Sequence, residues 1–242
     1  MKQGLDFATR ALALCAGAFL LGSAAWAKDE SPVLKQSDNW VANFDTESCQ
    51  LITGFGDGDG KVLIRISRYA PEGSFKLDLM GKPFRNDAAH SKVKIQFGPI
   101  GNIREQRTTN GTNSRLPMLM LGFDDFLTRD WQKDVARPPI TAEQEAAIRW
   151  LDVAMPGKKP LRLEIGSMVR PMKVMRAGMT DLVRSWGYDP EAFEIGGQRP
   201  TPQGKVSSWV TTDDYPREML AKGGQGIVRS RLDVDEMGNV SG

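Results

Sequence analysis

The residue types that most often carry out chemistry are scarce in this sequence of 242 residues. It holds one histidine, His90, and two cysteines, Cys15 and Cys49, which are too few for a zinc site built from His and Cys ligands. His90 lies in a polar stretch, and as a general base it would need a nucleophile such as the serine of a Gly-x-Ser-x-Gly motif, which the sequence lacks. Histidine-based catalysis is therefore not expected.

Acidic side chains are frequent, but their spacing does not form a site. The run Asp57-Gly58-Asp59-Gly60 begins like a calcium-binding loop, whose ligands include positions 1, 3, 5 and 12. Counted from Asp57, the last two positions are Lys61 and Arg68, so the run predicts a hairpin turn instead. The neighbours in Asp124-Asp125 and in Asp213-Asp214 would point to opposite faces of a strand and would not share a proton. We expect no catalytic residue, cofactor or metal, and we expect the protein not to be an enzyme.

The charge balance argues against one class of partner. Lys and Arg number 32 and Asp and Glu number 30, which gives a net charge of +2. A nucleic-acid-binding protein usually carries a strongly basic surface, so we expect no nucleic acid as partner. The hydrophobic share of 40% and the charged share of 26% are those of an ordinary globular chain.

Residues 1–27 are typical of a secretory signal peptide. A short charged region precedes an apolar run over residues 11–21, and Ala25-Trp26-Ala27 supplies the small-x-small end. The apolar run is shorter than the roughly 20 residues of a membrane-spanning helix. We predict cleavage between Ala27 and Lys28 and secretion; the alternative is an uncleaved membrane anchor. Cys49 would then be the one cysteine of the mature chain, either buried and inert or bonded to a partner.

Residues 28–137 show the two-residue periodicity of β-strands. Apolar and polar residues alternate in the stretches 62–67, 75–80 and 93–97, so one face of each strand would lie on a core. Turn-forming residues separate or follow these stretches at 57–60, 71–73, 81–83 and 110–112. The pattern predicts an antiparallel β-rich domain arranged as a sandwich or a barrel.

Residues 138–187 are predicted to form a helix, a strand and a helix that pack on the β-rich domain. Thr141 and Gln144 have the types and spacing of a capping box, in which each side chain bonds the backbone amide of the other residue. The apolar stripe that follows predicts a first helix from Thr141 to Met155.

The second part of this segment is predicted from alternation and from helix punctuation. Alternation over residues 161–165 predicts the strand. Pro171 suits the first turn of the second helix, whose apolar stripe ends before Gly187. The glycines and prolines of residues 188–210 predict a linker.

Residues 211–242, which we call the tail, carry a further pattern. Tyr215-Pro216 precedes residues 217–220, which predict a short helix. Alternating apolar residues over 227–234 then predict a strand, and Glu236-Met237-Gly238-Asn239 predicts the turn that reverses the chain.

This arrangement resembles the opening of the C-terminal domain of the TonB family. The residues that match the family pattern are Tyr215, Pro216, Gly226, Val228, Leu232, Val234, Asp235 and Gly238. In that family the domain is periplasmic and recruits a short extended segment of an outer-membrane receptor by adding it to a sheet edge. The resemblance implies a partial α/β hairpin unit over residues 211–242, an incomplete form of the family domain.

The patterns together predict an α+β protein with a β-rich N-terminal domain, a helix–strand–helix middle and the TonB-like tail. The resemblance implies a protein of a Gram-negative bacterium, with a periplasmic location or, as the alternative, an uncleaved anchor in the inner membrane that faces the periplasm. It implies action by protein–protein interaction in envelope transport, with an outer-membrane TonB-dependent receptor as partner. The alternative is that residues 28–200 form the working unit, a periplasmic binding or scaffolding module to which the tail is an accessory.

Overall fold

The structure is a computed structural model that describes residues 31–71, 74–86, 91–123, 126, 140–193, 203–205, 208–222, 231–235 and 237–240. The predicted signal peptide and its cleavage site, Ala27-Lys28, lie outside the described residues. The same holds for His90, for Asp124-Asp125 and for the motif residues Gly226 and Val228.

Strands make up most of the regular structure. In chain order they are β1 (Val33–Lys35), β2 (Val41–Phe44), β3 (Cys49–Phe55), β4 (Val62–Arg68), β5 (Phe75–Met80), β6 (Lys92–Gly98), β7 (Arg104–Arg107), β8 (Thr109–Asn113), β9 (Leu116–Phe123), β10 (Trp150–Ala154) and β11 (Leu161–Glu164). The α-helices are α1 (Ala142–Ala147), α2 (Val169–Ser185) and α3 (Arg217–Ala221). The protein is therefore of mixed α+β class and mostly β, as the sequence predicts.

Two sheets are formed. One has five strands in the order β1-β11-β10-β6-β7, and the other has six in the order β2-β3-β4-β5-β9-β8. Neighbouring strands run antiparallel, except that β1 lies parallel to β11. The three stretches predicted from alternation are β4, β5 and β6, so those predictions are confirmed.

The two sheets contribute to one hydrophobic core. Val62, Ile64 and Ile66 alternate along β4 and are at most 1% exposed, which is the expected signature of one buried sheet face. Phe97 of β6 meets Phe75 of β5 and Phe123 of β9 edge-to-face, with ring centroids 6.1 and 5.7 Å apart. These aromatic contacts join the five-stranded sheet to the six-stranded one.

The predicted helix from Thr141 to Met155 is wrong in its second half. Its start is confirmed, since the amide of Gln144 donates to Thr141 Oγ1 at 3.3 Å and the amide of Thr141 donates to Gln144 Oε1 at 2.9 Å. After Ala147, however, the chain extends into β10, which lies between β6 and β11. Pairing on both sides satisfies the backbone groups of β10, and its buried apolar side chains, Leu151 and Val153, are two residues apart, as on one face of a strand.

The turn predicted at residues 110–112 is also wrong. Those residues lie inside β8, and the chain reverses at Ser114 and Arg115, which have φ angles of 47° and 71°. A two-residue hairpin loop needs left-handed backbone at its centre, and these two residues adopt it despite their side chains. The register of β8 against β9 decides where the reversal falls.

The second predicted helix and its packing face are confirmed. α2 ends at Ser185, and Gly187 follows with the left-handed φ of 88° that suits a glycine after a helix. Its buried face includes Met172, Met175 and Met179 and contacts β3 and β2. The middle segment is thus helix, strand, strand and helix, and its strands β10 and β11 are members of the five-stranded sheet.

Candidate functional site

The tail begins with the short helix that the sequence predicts. Pro216 takes the N-cap position of α3 with extended backbone, φ −60° and ψ 120°. Its carbonyl oxygen accepts hydrogen bonds from the amides of Met219 and Leu220, each at 3.0 Å. Tyr215 lies directly before the cap and is 36% exposed. The Tyr-Pro pair therefore sets the entry of the chain into α3.

The acidic pair that precedes this helix has a structural role. The amide of Thr211 donates to Asp214 Oδ2 at 2.7 Å, and the Thr211 hydroxyl lies 2.9 Å from the same oxygen. These hydrogen bonds lower the pKa of the Asp214 carboxyl, so it is ionised near neutral pH. Asp214 thus acts as a capping acid within a short turn.

The predicted turn after Asp235 is confirmed in the described residues. Asp235 Oδ1 accepts from the amides of Met237 at 2.9 Å and Asn239 at 2.8 Å, and Gly238 has the left-handed φ of 86°. Hydrogen bonds from the backbone and the side chain of Asn239 lower the pKa of the Asp235 carboxyl. Beyond the turn, Val234 and Val240 form an isolated antiparallel bridge.

Most of the apolar side chains in the described part of the tail are exposed. Leu232 is 44% exposed, Val240 60% and Leu220 61%. Of the tail residues that the structure describes, none belongs to the buried core cluster. The strand predicted over 227–234 is not formed in its described part, residues 231–234, where the structure has only the Val234–Val240 bridge. The described tail therefore presents apolar side chains beside a backbone segment with one β-bridge.

The tail is fastened to the rest of the protein by Arg231, in a contact we call the Arg231 junction. Its guanidinium lies over the ring of Trp186, 4.6 Å from the ring centroid. Arg231 Nη1 is 3.1 Å from Glu47 Oε2, and Arg231 Nε is 3.3 Å from Asp233 Oδ1. A cation over an indole face, paired with two carboxylates, holds residues 231–235 of the tail beside the end of α2.

Neighbouring hydrogen bonds complete this junction. Trp186 Nε1 donates to the carbonyl oxygen of Thr46 at 3.0 Å, which fixes the ring against the turn between β2 and β3. Loss of hydration and a hydrogen bond with Asp233 raise the pKa of the Tyr188 hydroxyl. The junction thus joins three places that are distant in sequence: the β2–β3 turn, the end of α2 and the tail.

Sequence reasoning missed this junction. Trp186 fits the end of the apolar stripe of α2, and nothing in the pattern assigns its ring a cation. The spacing of Arg231 and Asp233 does place both side chains on one face of a strand, which favours a local ion pair. The contact of Arg231 with Trp186 could not be predicted, because the two residues are 45 positions apart in the sequence.

The described residues hold no group of three or more His, Cys, Asp or Glu side chains able to bind a metal ion. None of the helices in the described parts of the chain is long and apolar enough to cross a membrane. Comparisons with models of protein families, with curated proteins and with solved structures found no match. The TonB-like interpretation therefore stays a prediction from the residues of the tail.

Proposed function

We propose that this is a periplasmic TonB-like protein that binds an extended segment of an outer-membrane receptor by strand addition at its tail. The role is protein–protein interaction in envelope transport, and it needs no catalytic group or cofactor. The motif residues Tyr215, Pro216, Leu232, Val234 and Gly238 would shape the strand that the segment joins.

One observation carries the proposal: in the described residues 231–235, which include the end of the predicted strand, the structure has a single β-bridge, between Val234 and Val240. A strand with few pairing partners offers amides and carbonyls to another extended chain. Backbone hydrogen bonds supply affinity in such an arrangement, and alternate side chains supply selectivity.

The exposed apolar side chains support the same role. Leu232 and Val234 are two residues apart, so an extended chain places them on one face. Leu232 is 44% exposed, and burying a leucine side chain contributes about 1.5–3 kcal/mol. An added receptor strand would cover this face as well as the backbone edge.

Photo-crosslinking in the Gram-negative bacterium that encodes the chain tests the proposal. p-Benzoylphenylalanine is incorporated at Leu232 or, as a matched control, at Ile103, which is 47% exposed and lies outside the tail. We expect the Leu232 probe alone to form an adduct with an integral outer-membrane protein. Equal adducts from both positions, or none from Leu232, would rule out receptor binding at the tail.

The location is tested separately. Edman sequencing of the protein recovered from the periplasmic fraction should begin at Lys28, since the predicted cleavage follows Ala27. An intact N-terminus in the inner-membrane fraction would instead support the anchored alternative. Either result leaves the crosslinking outcome interpretable, because both forms face the periplasm.

A second candidate is that residues 28–200 form the working unit. The observation that favours it is that the buried core cluster lies wholly within residues 49–182, outside the tail. Deletion of residues 210–242 distinguishes the two. A partner that still co-purifies with the shortened protein would support the second candidate, and its loss would support the tail.

A further inference from the structure

An open cleft of about 270 Å³ lies between β8, the start of β9 at Pro117 and Met118, and the segment Phe84–Asn86. Both Gly111 and Thr112 line it. The cleft thus spans the last two strands of the sheet and reaches its edge strand. β8 is the last strand of the six-stranded sheet, so this edge has no neighbouring strand among the described residues.

The register shows that this edge presents backbone hydrogen-bonding groups. Thr112 lies opposite Pro117 of β9, and proline has no amide hydrogen to donate. The carbonyl of Pro117 accepts from the amide of Gly81 at 2.9 Å, on the side of β5. Thr112 and Pro117 are therefore a non-hydrogen-bonded pair, and the amide and carbonyl of Thr112 point away from β9, towards the outer edge of the sheet.

Among the described residues that line the cleft, the charges have one sign. Arg85 and Arg115 both line it, and both side chains are exposed. No Asp or Glu is among the lining residues, which are otherwise polar or apolar. A guanidinium recognises a carboxylate through paired, charge-assisted hydrogen bonds, so the cleft is complementary to an acidic ligand.

The wall opposite β8 is held in place. Lys158 Nζ donates to the carbonyl oxygen of Pro83 at 2.9 Å and also to that of Arg85. Asn110 Nδ2 donates to the carbonyl oxygen of Asn86 at 2.9 Å, which ties the wall to β8 itself. Because this wall is already fixed, less conformational entropy is lost when a ligand binds than in a cleft with a mobile wall.

The edge of the other sheet gives a contrast. β7 has the sequence Arg104-Glu105-Gln106-Arg107, and Glu105 pairs with Lys92 at 2.9 Å. Charged side chains on an edge strand oppose the addition of another strand. β8, with the sequence Thr-Asn-Gly-Thr-Asn, carries no charge within the strand.

We propose that the β8 edge binds an extended acidic peptide segment, which adds as a strand beside Thr112 and places a carboxylate near Arg85 and Arg115. The volume favours this ligand over a small molecule, because pockets for small molecules usually measure about 300–1,000 Å³. A peptide needs only part of itself in the cleft, and the remainder runs along the strand. This surface lies outside the tail and stands independently of the function proposed above.

The test selects ligands from a phage-displayed library of random decapeptides on the full chain. Peptide affinities are then measured by fluorescence anisotropy for the wild type and for Thr112→Pro, which removes the outward amide. We expect the selected peptides to contain Asp or Glu and to bind Thr112→Pro at least tenfold more weakly. The matched control Thr112→Val keeps the amide and should bind within about twofold of the wild type.

A double variant tests the contribution of the two arginines to peptide binding. The double change Arg85→Gln and Arg115→Gln should weaken the binding of acidic peptides about tenfold. Peptides in which each Glu is replaced by Gln should bind the wild type and the double variant with equal affinity. This variant also decides the outcome if Thr112→Pro fails to fold, which its thermal unfolding curve reveals. Failure to select any peptide, or selection of peptides without acidic residues, overturns the proposal.

Other occupants give distinct results. A wild-type dimer in size-exclusion chromatography that becomes a monomer in Thr112→Pro would show that β8 pairs with a second copy, and the peptide proposal would fall. Peptides that keep their affinity for Thr112→Pro but lose it in Leu232→Arg belong to the tail. That result would support the proposed function and overturn this inference.

Discussion

The Cys49 thiol lies inside the protein, between β3 and α2. It is 1% exposed, and a Cβ built on Gly178 of α2 would lie 3.1 Å from its sulfur. Burial, reinforced by the negative charge of Asp181, raises the pKa of the thiol to about 11. The thiolate is the reactive form of cysteine, so this environment keeps Cys49 protonated and unreactive.

Cys49 should therefore resist thiol reagents while the protein is folded. In a Cys15→Ala background, we expect dithionitrobenzoate at pH 8 to label the native protein at least about 100-fold more slowly than the urea-unfolded chain. This ratio of labelling rates follows from the smaller thiolate fraction in the folded protein, and exclusion of the reagent from the core slows labelling further. The release of thionitrobenzoate is followed by absorbance. Similar rates for the folded and unfolded protein would show that the thiol is accessible.

The same thiol gives a pH dependence with a defined sign. Its pKa is higher in the folded protein, about 11, than the ordinary value of 9.0. The folded state thus holds the proton more tightly, and the thiol's contribution to stability is complete below about pH 9. That contribution is lost as the pH rises from there towards the pKa of the folded state. Urea titrations at several pH values measure the resulting fall in the free energy of unfolding, and a Cys49→Ala control should not show it.

At the scale of elements, an ion-pair network joins α1, α2 and β4. Glu145 of α1 is 2% exposed and accepts from Arg176 of α2, with Nη1–Oε1 at 2.5 Å and Nη2–Oε2 at 3.2 Å. Burial and, after it, repulsion from Arg176 lower the pKa of the Arg68 guanidinium, which Glu145 partly offsets. One carboxylate thus balances two guanidinium groups where three elements meet.

Replacing that carboxylate should destabilise the fold. Glu145→Gln removes the buried negative charge that binds Arg176 and partly offsets the repulsion at Arg68. Because the Arg176 side chain is half exposed and water can solvate it, we expect the free energy of unfolding to fall by about 2 kcal/mol. Urea denaturation followed by circular dichroism measures the change. Glu143→Gln, a substitution on the same helix, is the matched control and should leave the urea midpoint nearly unchanged. Equal midpoints for the two variants would contradict a stabilising role for Glu145.

Individual elements differ in how far the sequence determined them. β4 and α2 were predictable because strict alternation and a long apolar stripe each fit one backbone period. The stripe through Ile148, Leu151 and Met155 fits a helix, yet residues 150–154 pair with β6 and β11 instead. The choice depended on strands far away in the sequence, and local spacing does not contain that information. The Arg231 junction was unpredictable for the same reason.

At the scale of the whole molecule, the tail and the core are connected but separately built. The buried core cluster is confined to residues 49–182, so packing there does not depend on the described tail residues. The Arg231 junction lies at the surface, where a cation over an indole contributes about 0.5–1 kcal/mol and an exposed ion pair about 0.2–1 kcal/mol. Contacts of this size hold the tail near the core while still allowing it to detach.

Weakening the junction should therefore free the tail without unfolding the protein. Arg231→Gln removes the cation from the Trp186 ring and from Glu47, a loss of about 1 kcal/mol, which raises the detached population roughly fivefold. We expect faster hydrogen–deuterium exchange in peptides covering residues 231–240, with an unchanged thermal midpoint. Exchange at physiological salt should also exceed exchange at low salt, because the ion pair is screened.

Arg184→Gln is the matched control for this change. Arg184 is also exposed and also pairs with a carboxylate, Asp181 at 3.3 Å, but it lies within α2 and makes no described contact with the tail. Its loss should leave exchange in residues 231–240 as in the wild type. If Arg231→Gln behaves like this control, the tail is held by other contacts. If Arg231→Gln lowers the thermal midpoint, the tail and the core unfold together, and the separation inferred from the core cluster is wrong.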